Sequence, residues 1–167
     1  MPEAMKSGVT LVSLLLFTLA GAIWGWHALT RPLPGSAEPP LCRDRTVTEG
    51  SRLHPDQVTV SVYNASERAG LAGSTLDALG EAGFGAGEHG NAPRGTQVER
   101  AQIWVDDVDG PAAALVRSYL GRGTPVREGP TLGPGVVVVL GAKFEGIGRG
   151  RPFVVVRADA TVCSPTG

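Results

Sequence analysis

The chain has 167 residues, which suits one ordinary folded domain, and a formal net charge of −1. With neither a net basic charge nor a basic run, there is no electrostatic case for a nucleic-acid partner. Its two cysteines, Cys42 and Cys163, are 121 positions apart and have no Cys-x-x-Cys or Cys/His neighbour, so zinc binding and thiol redox chemistry have no support. No cofactor and no metal are expected.

Thirteen of the 15 basic residues are Arg and 24 residues are Gly, a bias that fits a high-G+C bacterial genome. Residues 1–8 read as a short cytoplasmic tail. Residues 9–29, "VTLVSLLLFTLAGAIWGWHAL", contain no Asp, Glu, Lys or Arg. A helix rises about 1.5 Å per residue, so roughly 20 such residues span the hydrocarbon core of a bilayer. Trp24 and Trp26 stand near the outer end, where indole rings favour the interface. The expectation is one transmembrane helix acting as an uncleaved signal anchor, with everything after it outside the cell. The rival is a cleaved signal peptide ending at the small residues Ala20, Gly21 and Ala22. Apolar residues continue past that point, and the run exceeds the roughly 7–15 residues of a usual signal core.

Residues 30–57 hold five prolines, Pro32, Pro34, Pro39, Pro40 and Pro55, and read as a semi-extended extracytoplasmic linker. Cys42 lies in it, and Cys163 is the fifth residue counted back from the C-terminus. In an exported domain the pair reads as one disulfide; the alternative is two free thiols.

From residue 58 the pattern becomes that of a folded domain. Residues 58–63, "VTVSVY", alternate as a half-buried strand does. Asn64 suits a helix cap with Glu67 as its capping-box partner. Ala69, Ala72, Leu76 and Leu79 then mark one helical face, with Gly83 as the stop. Residues 84–95 give a short strand and a flexible loop. Residues 99–107 predict another strand, with Ala101, Ile103 and Val105 on one face. Asp109 is expected to cap a second helix, Pro111 to start it and Gly121 to end it, with Leu115, Val116 and Leu120 inward. "TPVRE" is a short strand, "GVVVVLG" (135–141) a central strand buried on both faces, and residues 151–160 a last strand. The fold expected is α/β, an α+β sandwich: one β-α-β-β-α-β-like domain with one sheet covered on one face by two helices.

No signature of catalysis appears. A Walker loop needs a Lys after its glycines, and the corner at 64–73 has none. "GFGAGEHG" (83–90) has loose dinucleotide spacing but follows a helix rather than a strand. His54 and His89 each stand alone, and no G-x-S-x-G elbow is present. Asp106, Asp107 and Asp109 read as acids favoured at a helix N-terminus. The Asn64 corner reads as capping first. Its second reading is a ligand-binding loop, in which Asn64, Ser66, Arg68 and Gly70 hold an anionic or hydroxyl-rich ligand at the start of the helix. Arg68, Arg94 and Arg122 are exposed cations that suit anionic polymers or simple solvation.

The strand ending in Asn64, the Gly70-Leu71-Ala72 that opens a helix, its close in Ala82-Gly83-Phe84, and the Leu140-Gly141-x-x-Phe144 that follows the apolar strand resemble the LytR C-terminal domain. The resemblance covers about 58–144 and leaves 145–167, a C-terminal strand and tail, outside. With the anchor and the outer cysteine pair, the arrangement is similar to that of actinobacterial envelope-integrity proteins. It implies a single-pass membrane protein whose outer domain supports the cell envelope. It supplies no catalytic residue: related multidomain proteins carry a separate LytR–CpsA–Psr catalytic domain. The partners implied are peptidoglycan, a cell-wall glycopolymer or an envelope protein. The alternatives are a docking or regulatory subunit of a wall-building enzyme and, behind it, an enzyme acting on wall precursors.

Overall fold

The computed structural model describes the backbone of residues 3–29, 40–121 and 123–166, with the side chains of the first helix described over 12–27. Part of the predicted linker, 30–39, and Arg122 lie outside the described residues. The chain divides into two units, Met1–Pro39 and Pro40–Gly167.

The first unit is one helix, α1 (Glu3–Leu29). Leu14, Leu15, Leu16, Phe17 and Ile23 are each more than half exposed. Among the described residues no helix is long and apolar enough to cross a membrane. The side chains described, 12–27, fall short of the roughly 20 residues a span requires.

The second unit holds a five-stranded sheet with order β4-β3-β7-β5-β6, where β3 is Thr59–Asn64, β4 Gly85–Asn91, β5 Ala101–Trp104, β6 Val126–Arg127 and β7 Val136–Leu140. β3 runs parallel to both β4 and β7, β5 runs parallel to β6, and β7 meets β5 antiparallel. The helices α2 (Leu71–Glu81) and α3 (Pro111–Leu120) each connect a parallel pair, as a parallel crossover demands. Both pack on the same face, where Val60, Val62, Ile103 and Val138 meet Leu76, Leu79, Leu115 and Val116. This is the sheet covered on one face by two helices that the sequence predicts, but the residues expected as its last strand, 151–160, instead contribute Val154–Val155 and Ala160 to separate two-stranded ribbons.

Several local details differ from expectation. β3 is buried on both faces, not half-buried, because the 128–135 loop covers its second face. Tyr63 Oη donates to the Leu132 carbonyl (2.5 Å) and lies 3.2 Å from a Glu88 carboxylate oxygen, while Ser61 Oγ donates to the Pro134 carbonyl (2.7 Å). Burial first, then Glu88, pushes the Tyr63 phenol above its ordinary value. A phenol whose folded value is raised contributes stability below its unfolded value and loses it as pH climbs through the folded one. Tyr63→Phe is therefore expected to cost about 1 kcal/mol at neutral pH. It should also speed amide exchange in the 128–135 loop and blunt the fall in stability above about pH 10, all readable by exchange and denaturation.

The Asn64 cap is also revised. α2 starts later, with Gly70 as its N-cap at φ +76°, a left-handed conformation that suits glycine. Leu71 and Thr75 replace the exposed Ala69 on its buried face. At α3 the cap is Gly110 rather than Asp109. Gly83 and Gly121 do end their helices, at φ +98° and +100°.

The largest departure lies outside the sheet. The described part of the predicted linker, 40–57, is folded: β1 (Cys42–Val47) pairs antiparallel with β9 (Ala160–Pro165), and β2 (Arg52–Leu53) with β8 (Val154–Val155). Cys42 and Cys163 form a disulfide across the first ribbon, with Cα atoms 5.4 Å apart. Val47, Leu53, Val154 and Val162 join the main core, so both ends of this unit are sewn onto the sheet.

Candidate functional site

The four corner residues do come together. Asn64 Oδ1 accepts from the Ser66 amide (2.9 Å) and the Ser66 hydroxyl (2.7 Å), and its Nδ2 donates to the Arg68 carbonyl (2.7 Å). Ser66 Oγ accepts in turn from the Arg68 amide (3.3 Å). Arg68 Nη1 donates to the Phe144 carbonyl (2.5 Å) and, more weakly, to that of Ala142 (3.4 Å). Thus the Asn and Ser side chains shape the turn that lets Gly70 enter α2, and Arg68 latches that turn to the chain leaving β7. A small cavity of about 170 Å³ lies beside Arg68, Ser74, Thr75 and Phe144.

A larger cavity, about 480 Å³, opens at the other end of the sheet, past the C-terminus of β5. Its walls come from the entry to β3 at Val58 and Thr59, residues 104–107, the start of α3, residues between 129 and 137, and the β1/β9 ribbon around Cys163. Each stretch is there for a physical reason. Gly129 lies flat on the Trp104 indole, where a side chain would collide with the ring. Pro111 pre-sets the first turn of α3 without wasting an amide donor. Asp107 shapes the approach to α3, its carboxylate accepting from the Asp109 amide (3.2 Å) and its carbonyl from the Gly110 amide (3.2 Å). The disulfide fixes the ribbon wall.

The cavity mixes an apolar side, with Trp104, Val105 and Val137, and polar groups, with Asp44, Asp106 and Thr131. Trp104 is half-exposed, and its Nε1 donates to Gln102 (3.2 Å). Asp44 and Asp106 are exposed. The one ion pair among the described residues is elsewhere, between Lys143 and Glu99 (2.6 Å), which push each other's titration up and down respectively. Among the described residues, the cavity carboxylates therefore pair with no cation. Among the described residues, no group of three or more His, Cys, Asp or Glu could hold a metal ion. His54 instead packs at a tilt of 45° against Phe153, at 5.5 Å between ring centroids, and the ring of Phe153 also carries Arg52 over its face.

Thr59, which lines the cavity, is fully buried with a hydroxyl that has no hydrogen-bond partner among the described residues. A buried unpaired hydroxyl is destabilising, whereas an apolar group of the same shape is not. Thr59→Val is expected to raise the unfolding free energy by about 1 kcal/mol, measured by denaturant titration.

Sequence reasoning singled out the Asn64 corner and read Asp106 and Asp107 only as helix acids. The cavity gathers residues from position 44 to 163, and no local pattern announces that. The one available signal was Trp104, the sole tryptophan after Trp26.

A family model described as LytR cell envelope-related transcriptional attenuator matches residues 57–144. The cell wall biosynthesis protein LcpA of Corynebacterium glutamicum is 33% identical over 118 residues, covering 70% of this chain. The chain spans only 22% of that relative's length. Among solved structures, the soluble domain of a conserved hypothetical secreted protein (Rv2700 ortholog) from Mycobacterium marinum aligns with TM-score 0.50 and 26% identity, covering 62% of this chain and 70% of that one. With over half of its length matched by the family model, this chain belongs to the LytR C-terminal domain family.

Proposed function

We propose that this chain is a non-catalytic module of the cell envelope, held on the membrane by the helix over 9–29 and binding wall material with its disulfide-stapled domain. The observation that carries this reading is the family match together with the Cys42–Cys163 bridge, a bond that persists in oxidising, extracytoplasmic surroundings. The wall biosynthesis relative and the secreted relative support the same compartment. The anchor is supported by the uncharged run at 9–29 and by the exposed apolar side chains of α1, since a helix apolar all round belongs in protein or lipid. The ligand proposed is peptidoglycan or a glycopolymer attached to it.

Sedimentation of the detergent-solubilised full chain with purified, protein-free wall tests this. Retention is the expected result. Passage through to the supernatant, with capture restored only by an envelope protein, would favour a docking subunit instead.

The corner of Asn64, Ser66, Arg68 and Gly70 is proposed as a secondary contact for hydroxyl-rich or anionic groups, on the strength of the small cavity beside Arg68. Its polar groups have internal partners, which makes it the weaker binder of the two places.

A further inference from the structure

We infer that the cavity past the end of β5 is a saccharide site that takes a neutral or amine-bearing sugar unit and rejects anionic ones. This rests on the reading of the chain as a wall-binding module and names the part of the wall it grips. At about 480 Å³ the cavity falls within the roughly 300–1,000 Å³ of small-molecule sites. It lies outside the C-terminal end of β5 and the N-terminal ends of β3 and β7, where the antiparallel pairing of β5 with β7 brings these ends together.

The lining selects the chemistry. The exposed parts of Trp104 and Val105, both only partly buried, offer an apolar wall suited to the C–H face of a pyranose ring. Asp44 and Asp106 are acceptor-only groups, and they have no hydrogen-bond or cation partner among the described residues. Hydroxyls, amides and ammonium groups donate to such carboxylates in charge-assisted bonds. Phosphate or carboxylate groups would meet like charge there with no Arg or Lys in the lining to offset it. Thr131 and Thr161 add hydroxyls that both donate and accept. A purely apolar ligand would strand these polar groups, and a phosphorylated polymer would be repelled by them.

The ribbon supplies Asp44 and Thr161, and it belongs to the stretches outside the family match.

The test uses the full chain in detergent, titrated with N,N′,N″-triacetylchitotriose while the Trp104 indole N–H resonance is followed. The expected result is a saturable shift. Asp106→Asn, at an exposed position, should weaken binding tenfold or more, whereas Glu81→Gln on the exposed side of α2 should not. Glucose 1-phosphate should give no shift. Absence of a saturable shift, equal binding by Asp106→Asn, or preference for the phosphorylated sugar would each overturn the inference. Wall sedimentation with the same variants separates the two readings. If the wild-type chain and Asp106→Asn are retained equally, wall binding stands and this cavity is not its site. If neither is retained, the wall-binding reading fails with it.

Discussion

Replacing Cys42 and Cys163 together by serine is expected to lower the unfolding free energy by about 4–5 kcal/mol. The bridge closes a loop over a sequence separation of 121, and in the chain-entropy account the stabilisation grows with the logarithm of loop length. The native side of the balance points the same way. β1 and β9 pair over six positions, from Cys42 opposite Pro165 to Val47 opposite Ala160. β1 reads CRDRTV, and its four central side chains are exposed, so little apolar burial holds it in place without the covalent link. Val47 and Val162 enter the core from this ribbon, and their packing should loosen with it. Denaturant titration reads the effect. Reductant should shift the wild-type midpoint toward that of the double variant and leave the double variant where it is.

Phe144→Ala is expected to cost about 3–5 kcal/mol, the range for deleting a buried aromatic ring. Phe144 is 1% exposed and is the largest of the fully buried side chains. It lies at the end of a closing turn fastened on every side. The Gly141 amide donates to the Arg100 carbonyl (2.8 Å), the Lys143 amide to that of Glu99 (3.0 Å), and Arg68 grips the Phe144 carbonyl itself. A turn held this firmly cannot sink into the cavity left by the ring, which places the cost toward the upper end. The same packing explains the glycine three residues earlier. A Cβ at Gly141 would run into the Val98 carbonyl and the backbone of Glu99, and backbone does not move aside as a flexible side chain does. Gly141→Ala should therefore destabilise although it adds a single methyl group, by at least the roughly 1–3 kcal/mol of ordinary overpacking. Thermal melts of both variants check the pair.

The core of the fold was legible where periodicity is strong. The Val136–Leu140 run announced a central strand, and every one of its residues is buried. The faces of α3 and most of α2 followed from spacings of three and four, and Gly83 and Gly121 marked the helix ends. The Leu-Gly-x-x-Phe closing pattern pointed to the family, and the packing around Gly141 and Phe144 supplies its physical reason. β4 was legible only as a short strand running into a flexible loop, because GAGEHGN has weak strand propensity. Two of its glycines are there for close approach: side chains at Gly85 and Gly87 would strike Pro165 and Ser61. β1 and β2 were hidden because their partners lie more than a hundred residues away, and prolines before and among them suggested an open spacer. Asn64 is a good cap in composition, yet its side chain is spent on Ser66 and Arg68 before the helix begins. The cavity was beyond local reading because stretches far apart in the sequence build it.

Protease added to intact spheroplasts that produce the chain with a C-terminal epitope tag asks most directly which side of the lipid the folded unit occupies. Loss of the tag from the pellet, with cytoplasmic markers spared, is the predicted result. A tag that survives until lysis and is then cut would place Pro40–Gly167 inside the cell and contradict the envelope assignment.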